Sequence, residues 1–444
     1  MKRQGTLTWK EVAVSLITLH YGLGFLIGSG EAIYLSGVTG ILYAFSTVIG
    51  LFSLLFIAKF YWKKRAPIWT LMGARYGAAV KETIAFLSCI WMIGVVASQV
   101  QGGASILQTL GLSQMISVPV MATVITLLSL ISLSRMVRLF SFMLVISSLS
   151  LISILIMFGI DWIPKTMILL FKAQREFTLS DFLGILTPTV LVTFIGMDFH
   201  QFIVKARTSA DAVKGIIAAG VGLVIISLIL LSVVVASIQN NLLYDLQNPK
   251  QTIPLILHNF GNGFSPFVSL MLSLPIIFVA IGSGSGVNRI INRSITDSRV
   301  MPDLLRKKPN VFFLVFFFVL MISYSGDSIV GLIVAFYAIY VGSVFIPFLA
   351  SLLDARLHLK IKRKSILAAI YASVIGTLSI YLYSYVPKSF VSDDKATYMV
   401  IVGFVISLLI LIFYNSQQLF KYLIRSFKYQ PYIIIRAGFR TKTH

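Results

Sequence analysis

The stretch from Leu16 to Gly40, LITLHYGLGFLIGSGEAIYLSGVTG, decides the fold of this chain. It is apolar enough to lie in a lipid bilayer, yet it contains six glycines, one histidine and one glutamate. Each glycine inside a helix costs about 1 kcal/mol relative to alanine, so this density favours a broken helix. A broken helix at membrane depth must be buried in protein or line a cavity. The stretch predicts a discontinuous transmembrane helix at a midplane binding site; a plain helix with a glycine packing face is the alternative.

The composition is that of a membrane protein. Of 444 residues, 57% are hydrophobic and 12% are charged, about half the charged fraction of soluble domains. The mean hydropathy is +0.92. The single cysteine, Cys89, excludes an internal disulfide framework and a cysteine metal cluster. No hydrolase motif or paired-carboxylate set appears, so the sequence favours no enzymatic activity.

Twelve apolar segments are long enough, at about 20 residues, to span a bilayer. They lie near residues 10–36, 38–60, 80–110, 114–134, 138–159, 181–204, 211–238, 265–296, 309–325, 328–352, 364–385 and 396–418. The sequence therefore predicts an all-α polytopic membrane protein of about 12 transmembrane helices.

Positive charge alternates between the loops that join these segments. Every even-numbered loop is basic, through Lys63, Lys64, Arg65, Arg135, Arg138, Lys205, Arg207, Lys214, Arg299, Arg306, Lys307, Lys308, Arg356, Lys360, Lys362, Arg363 and Lys364. By the positive-inside rule these loops and both termini face the cytoplasm, with the plasma membrane as the default location. The net charge of +22 then needs no nucleic-acid partner. The basic tail is expected to contact anionic lipid through Lys421, Arg425, Lys428, Arg436, Arg440 and Lys442.

The sixth segment carries interruptions that match those of the first. It contains Pro188 and Gly196, and it lies five segments further along the chain. Interrupted segments at matching positions of two halves indicate an inverted repeat with a binding site between the halves. We expect a transporter core over residues 1–358, with repeats of five helices over about 10–160 and 181–352. Two additional helices over 359–420 and a cytoplasmic tail over 421–444 would follow.

Glu31, Asp198 and His20 are ionisable residues within the apolar segments. Glu31 lies in the outer half of the first segment, where it either faces a cavity or is solvated at the interface. Asp198 lies near the inner end of the sixth, and an ion pair with Lys205 or Arg207 is favoured over a proton relay. His20 lies beside the glycine-rich break, where it either donates one structural hydrogen bond or carries a coupled proton.

The eighth segment contains a second unusual stretch, GSGSG over residues 282–286. The hydroxyl groups of Ser283 and Ser285 are hard oxygen ligands, which alkali cations prefer together with carbonyl groups freed by an unwound helix. Close helix packing is the alternative. A phosphate loop is excluded because no lysine follows the glycines and the stretch lies inside a span.

Four short segments share their order and spacing with a known family. They are Gly28–Gly37 (GSGEAIYLSG), Ile68–Gly77 (IWTLMGARYG), Gly196–Ser209 (GMDFHQFIVKARTS) and Ser294–Leu305 (SITDSRVMPDLL). Together they resemble the solute:sodium symporter family, whose members share the LeuT-type fold of five plus five helices. The resemblance runs from the first segment to the eighth and so covers most of the core.

The resemblance implies a sodium site between the first and eighth helices. Its ligands would come from the backbone carbonyl groups of Thr18 and Tyr21 and from positions Val279, Gly282 and Ser283. The family usually has two adjacent hydroxyl residues where this chain has Gly282 and Ser283, so one ligand is missing. His20 also stands where relatives carry an uncharged or acidic polar residue. A weakened sodium site, proton coupling through His20 and lost transport are all compatible with these departures.

The resemblance also places a substrate site at the breaks. The expected substrate-binding residues are His20, Gly24, Phe25, Gln99, Gln101, Thr193 and Phe194. Those on the third and sixth helices rest on fold analogy rather than on a matched motif. No cofactor is implied other than the coupling ion, Na⁺ or H⁺.

Two classes of function agree with these features. A secondary active transporter, by preference a sodium-coupled symporter, would import a small organic solute by alternating access. An amino acid or carboxylate is the default solute, because helix N-termini at the breaks favour anions. The rivals are a proton-coupled transporter and a sensor of the same fold that binds its ligand without moving it. A channel is a weaker third option.

Overall fold

The computed structural model describes residues 5–131, 133–297, 308–386 and 394–438. All regular structure in these ranges is helical, apart from one bridge between Leu7 and Ala206. The prediction of an all-α fold is therefore confirmed. Several residues used above lie outside the described ranges, namely Arg299, Arg306, Lys307, Arg440, Lys442 and positions 298–305 of the fourth family-like segment.

The helices follow one another closely along the chain. The first half forms α1 (Trp9–His20), α2 (Ser29–Ser36), α3 (Leu42–Ser53), α4 (Leu55–Lys64), α5 (Ile68–Tyr76), α6 (Ala78–Thr109), α7 (Gln114–Leu128), α8 (Leu133–Phe158) and α9 (Trp162–Lys172). The second half forms α10 (Leu179–Asp181), α11 (Thr187–Ile195), α12 (Met197–Lys205), α13 (Ser209–Gln239), α14 (Thr252–Asn262), α15 (Pro266–Asp297), α16 (Lys308–Ser323), α17 (Ile329–Leu357), α18 (Arg363–Tyr383) and α19 (Lys395–Gly438). Short π-helices over Gly24–Gly28 and Phe182–Leu186 lead into α2 and α11.

The described residues contain seven helices long and apolar enough to cross a membrane, or nine if each of two bent pairs is one span. Two shorter apolar helices, Gln114–Leu128 and Asn310–Ser323, coincide with two further predicted segments. The chain is thus a multi-pass membrane protein. The number of twelve spans and the cytoplasmic position of both termini stay predictions.

The centre of the bundle is formed by α6 and α17. In these two spans 78% and 83% of the most apolar window is buried, more than in the other spans of the described chain. Trp91 of α6 packs against Tyr337 and Tyr340 of α17, with ring centroids 5.5 and 5.9 Å apart. The broken first and sixth helices contact this central pair, which fixes where their breaks lie.

The chain reverses direction between the first two predicted spans. Gly37 has φ 64°, in the left-handed region that favours glycine. Gly40 comes so close to α2 that a Cβ atom there would lie 2.2 Å from the carbonyl carbon and oxygen of Ala32. Position 40 therefore needs a glycine for the chain to fold back along α2.

Replacing Gly40 by alanine is expected to lower the free energy of unfolding by about 1 to 3 kcal/mol, because the new methyl group meets backbone that cannot move aside. Gly286 is the matched control, since nothing lies within 4 Å of its Cβ position. Thermal unfolding of the detergent-purified variants measures the difference. Equal midpoints for Gly40→Ala and Gly286→Ala would contradict the close approach.

Candidate functional site

The first helix is broken as the sequence predicts. The α-helix α1 ends at His20, and the chain resumes as a π-helix at Gly24. The N–H group of Leu23, freed by this break, donates to Oε1 of Gln99 on α6 at 2.8 Å. A buried backbone group requires such a partner, so Gln99 stabilises the interrupted conformation.

The eighth helix, α15, reaches the same break. A Cβ atom on Gly22 would lie 2.7 Å from Oγ of Ser283 and 3.1 Å from Nε2 of Gln99. The absence of a side chain at Gly22 therefore lets α15 and α6 approach the interrupted backbone. Ser285, in contrast, donates to the carbonyl group of Gly282 within its own helix, at 3.3 Å.

The sixth helix is broken at Gly196, where α11 and α12 meet at 42°. Gly196 has an extended conformation, with φ −75° and ψ 123°. The carbonyl groups at the end of α11 are satisfied by side chains, since a helix end leaves its last carbonyls without partners. His200 contacts the carbonyl of Thr193 at 2.7 Å, and the hydroxyls of Tyr61 and Tyr340 donate to the carbonyls of Phe194 and Ile195 at 2.8 and 3.3 Å.

A small cavity, which we call the central cavity, lies where the two breaks meet. Its volume is about 40 Å³, enough for a few water molecules at most. It is lined by Leu19, His20, Gly22, Gly24, Phe25, Tyr43, Thr47, Val95, Gln99, Thr189, Thr193, Asp198, Phe199, Ser283, Val287, Ile333 and Tyr337. The lining thus combines residues of helices one, three, six and eight with residues of α3 and α17.

His20 faces the central cavity with a defined tautomer. Its Nδ1 atom is 2.7 Å from the carbonyl oxygen of Leu16, and since a carbonyl only accepts, Nδ1 carries the hydrogen. In the neutral ring Nε2 is therefore an acceptor. Nε2 is buried and has no hydrogen-bond partner within the described chain. The ring packs on Phe199, with centroids 5.0 Å apart.

Asp198 also lines the central cavity, and the ion pair predicted with Lys205 or Arg207 is not formed in the described structure. Its side chain is 4% exposed. The reason is the break at Gly196, which turns the first residues of α12 inward rather than toward the basic end of the span. The Oδ1 atom of its carboxyl group has no hydrogen-bond partner among the described residues.

Half of the predicted site residues line the central cavity. These are His20, Gly24, Phe25, Gln99, Thr193 and Ser283. The other six, Thr18, Tyr21, Val279, Gly282, Gln101 and Phe194, lie outside its lining. Gln101 donates to the carbonyl groups of Ser323 and Ser325, both at 3.2 Å. The ring of Phe194 packs on Phe345 instead, with centroids 6.3 Å apart.

Four further residues of the cavity lining are not predicted from the sequence, namely Asp198, Thr189, Tyr43 and Tyr337. For Asp198 a usable signal was present, because a glycine two residues before an acid inside an apolar segment indicates a break that can turn the acid inward. The two tyrosines carry no such signal in the sequence. Their positions depend on how α3 and α17 pack.

A second and larger cavity, which we call the vestibule, lies further along helix one. It has a volume of about 370 Å³ and is lined in part by Gly28, Glu31 and Val330. Glu31 is buried rather than solvated, and its Oε2 atom accepts from the N–H group of Ile329 at the start of α17, at 2.9 Å. An acidic group at a helix N-terminus is favourably placed. Burial lowers the pKa of Lys250, which lies near Glu31 outside the spans.

The vestibule and the central cavity are separated by contacts between helix one and α17. A Cβ atom on Gly24 would lie 2.2 Å from Cδ1 of Ile333, and one on Gly28 would lie 3.0 Å from Cγ2 of Val330. Gly24 and Ile333 both line the central cavity, whereas Gly28 and Val330 line the vestibule. The two glycines therefore allow α17 to close the passage.

The comparisons with known proteins identify the fold. Neither a family model nor a curated protein matches the sequence. Among solved structures, a Na⁺-coupled sialic acid symporter in its substrate-bound, outward-open state matches with a TM-score of 0.64 and 15% identity, over 91% of this chain and 90% of that chain. Mhp1, a nucleobase-cation-symport-1 family transporter in a closed conformation with bromovinylhydantoin bound, matches with a TM-score of 0.53 and 10% identity, over 94% and 93%. The expected LeuT-type fold is confirmed; membership in the solute:sodium symporter family stays a prediction.

Proposed function

We propose that this protein is a secondary active transporter, a sodium-coupled symporter that imports a small organic solute by alternating access. The observation that carries the proposal is the central cavity at the junction of two broken helices. Discontinuous helices that meet at mid-depth form the substrate site in transporters of this kind. The similarity in fold to two symporters supports the same function.

The domain arrangement predicted above fits this function. In the proposed arrangement, residues 10–160 and 181–352 form the two inverted repeats of a core over 1–358, and the breaks at Gly22 and Gly196 lie in their first helices. The two helices over 359–420 and the tail over 421–444 lie outside that core. With the N-terminus in the cytoplasm, the vestibule opens to the outside and the solute enters through it.

Sodium would bind between α1 and α15. Because α1 ends at His20, the carbonyl groups of its last turn, that of Thr18 among them, lack intrahelical donors. The hydroxyl group of Ser283 supplies a side-chain oxygen next to Gly22. Tyr21, Val279 and Gly282 complete the proposed set through their backbone. The glycine at 282 leaves this set one hydroxyl group short of the usual family pattern, so a weaker sodium affinity is expected.

Sodium is expected to raise the thermal stability of the detergent-purified protein, with choline or potassium holding the ionic strength constant. A ligand that binds only the folded state adds about 2.7 kcal/mol at 100 times its dissociation constant. The sodium effect should disappear in Ser283→Ala, which removes the proposed ligand. It should persist in the control Ser285→Ala, because that hydroxyl is bonded within its own helix.

Two other outcomes separate the rival functions. A stabilisation that depends on pH rather than on sodium, and that is lost in His20→Ala, would move the coupling to protons. In proteoliposomes, uptake of a solute driven by an inward sodium gradient would support symport. A solute that binds without being accumulated under any gradient would contradict transport and favour the sensor.

A further inference from the structure

The central cavity presents hydrogen-bond acceptors that lack donors. Nε2 of His20 accepts in the tautomer fixed by Leu16, and Oδ1 of Asp198 accepts when the carboxyl group is ionised. Both atoms are buried and have no hydrogen-bond partner in the described chain. The hydroxyl oxygen of Thr189, in the same lining, is also without a partner there. A ligand that fits this set must supply hydrogen-bond donors.

The charge of the cavity is equally one-sided. Asp198 is its one carboxylate, and no lysine or arginine stands among the described residues that line it. A buried carboxylate is costly unless a positive charge or several donors accompany it. Oδ1 of Asp198 has no hydrogen-bond partner in the described chain. A cationic donor would supply both the missing hydrogen bond and the counter-charge.

The walls around these acceptors are aromatic. Phe25, Tyr43, Phe199 and Tyr337 line the cavity together with His20. Aromatic rings attract organic cations through their quadrupoles, and the attraction is strongest where water is excluded. Carboxylate, imidazole acceptor and aromatic walls are the complementary features of a protonated amine, which carries up to three N–H donors and no acceptor.

We propose that the central cavity binds the protonated amino group of the solute, with Asp198 as its counter-ion and Nε2 of His20 as a second acceptor. This inference rests on the proposed function, because it names the chemical class of the transported solute. The breaks in the helices favour a carboxylate at a helix N-terminus, and the cavity lining adds an amino group to that expectation. An amino acid carries both a carboxylate and a protonated amine, whereas a carboxylate without an amine lacks the donors that the cavity requires.

The lining of the vestibule has an excess of acidic side chains, which also favours a cationic solute. Its lining holds four carboxylates and one lysine, namely Glu31, Asp181, Asp327, Asp394 and Lys395. Lys395 is paired with Asp327 at 2.5 Å. A cleft with an excess of one sign of charge raises the local concentration of the opposite charge and speeds its entry. The route to the central cavity therefore favours cations over anions.

The test uses three probes with one carbon skeleton: butylamine, butanoate and 2-aminobutanoate. Each is titrated into the detergent-purified full-length protein at fixed sodium and ionic strength, and the unfolding midpoint is recorded. Ligands of the folded state raise this midpoint with concentration. We expect butylamine and 2-aminobutanoate to raise it in the millimolar range and butanoate to leave it unchanged.

Asp198→Asn supplies the matched variant, because it keeps the shape of the side chain and removes its charge. We expect it to weaken binding of both amines by roughly tenfold or more, since a buried charge loses its partner. Asp161→Asn is the control, a carboxyl change on the surface outside both cavities, and should leave amine affinity within about twofold. The comparison of probes on the wild-type chain holds even where Asp198→Asn does not fold.

Three results would overturn the proposal. They are stabilisation by butanoate without stabilisation by the amines, equal amine affinity in wild type and Asp198→Asn, and no stabilisation by either amine at 10 mM. A pH-dependent stabilisation that Asp198→Asn removes, with no amine effect, would assign the site to a proton instead. Uptake separates this proposal from transport itself. Sodium-driven uptake of acids alone would overturn the amine site and leave symport standing. Binding of amines without flux would support the amine site and contradict transport.

Discussion

Replacing Asp354 by alanine is expected to lower the free energy of unfolding by about 1 to 3 kcal/mol, because it removes the acceptor of several hydrogen bonds. The Arg75 side chain is 37% exposed, so water replaces part of what Arg75 loses. The carboxylate of Asp354 is 3% exposed and lies near the end of α17. It accepts from Nε and Nη2 of Arg75, both at 2.7 Å, and from the hydroxyl of Tyr76 at 3.0 Å. Thermal or urea unfolding in detergent measures the change.

The same contacts explain one of the family-like segments. Arg75 and Tyr76 belong to IWTLMGARYG, which forms α5 and ends at Gly77. The hydrogen bond from Arg75 to Asp354 raises the pKa of the Arg75 guanidinium, so the pair stays charged. These two side chains attach the short helix α5 to α17, the most buried span of the described chain. The segment therefore serves the packing of the core rather than the central cavity.

A surface ion pair gives the control for Asp354. Asp161 and Lys165 lie 2.5 Å apart on the surface, with side chains 59% and 55% exposed. Exposed pairs contribute little to stability, so Asp161→Ala is expected to leave the unfolding transition unchanged. A loss in Asp354→Ala no larger than that in Asp161→Ala would contradict the role assigned to the buried carboxylate of Asp354. Arg75→Lys should lose part of the effect, because lysine lacks the two-pronged geometry.

The broken helices could be predicted from the sequence because their cause is local. Glycines weaken a helix at the positions where they occur, and a polar side chain inside an apolar segment marks the same region. The breaks at Gly22 and Gly196 lie where the sequence shows these features. The position of His20 at the first break follows from the sequence in the same way. That of Gln99 rests on analogy with the fold. The all-α architecture needed only the length and hydropathy of the segments.

The orientation of side chains beyond the breaks was not readable in the same way. Asp198 turns inward because α12 departs from α11 at 42°, an angle set by tertiary packing. Gln101 lies two residues beyond Gln99 on α6, so the helical period directs it elsewhere, to carbonyl groups at the end of α16. Tyr43 and Tyr337 reach the cavity from α3 and α17, and only the packed bundle brings these together.

Gly24→Val is expected to separate helix one from α17 at Ile333 and to reduce solute uptake by about a hundredfold. Its side chain would occupy the position of Ile333, because a Cβ atom on Gly24 already lies 2.2 Å from Cδ1 of Ile333. Overpacking at a close contact forces the neighbouring element away. Here that element is α17, and its displacement joins the vestibule to the central cavity. A transporter that does not close on one side lacks alternating access.

Access to the central cavity measures this opening directly. Thr47 lines the cavity, and the native Cys89 is 3% exposed, so Thr47→Cys reports labelling by a membrane-impermeant thiol reagent. We expect labelling to be slow in the Thr47→Cys chain and at least tenfold faster when Gly24→Val is added.

Ile333→Ala vacates the space that the valine needs, so combining it with Gly24→Val should restore slow labelling. Fast labelling that Ile333→Ala does not reverse would mean that the contact between Gly24 and Ile333 is not the barrier. If instead labelling is slow in every variant, the valine is accommodated without moving α17, and the passage is closed elsewhere along helix one, with Gly28 and Val330 as the next contact outward.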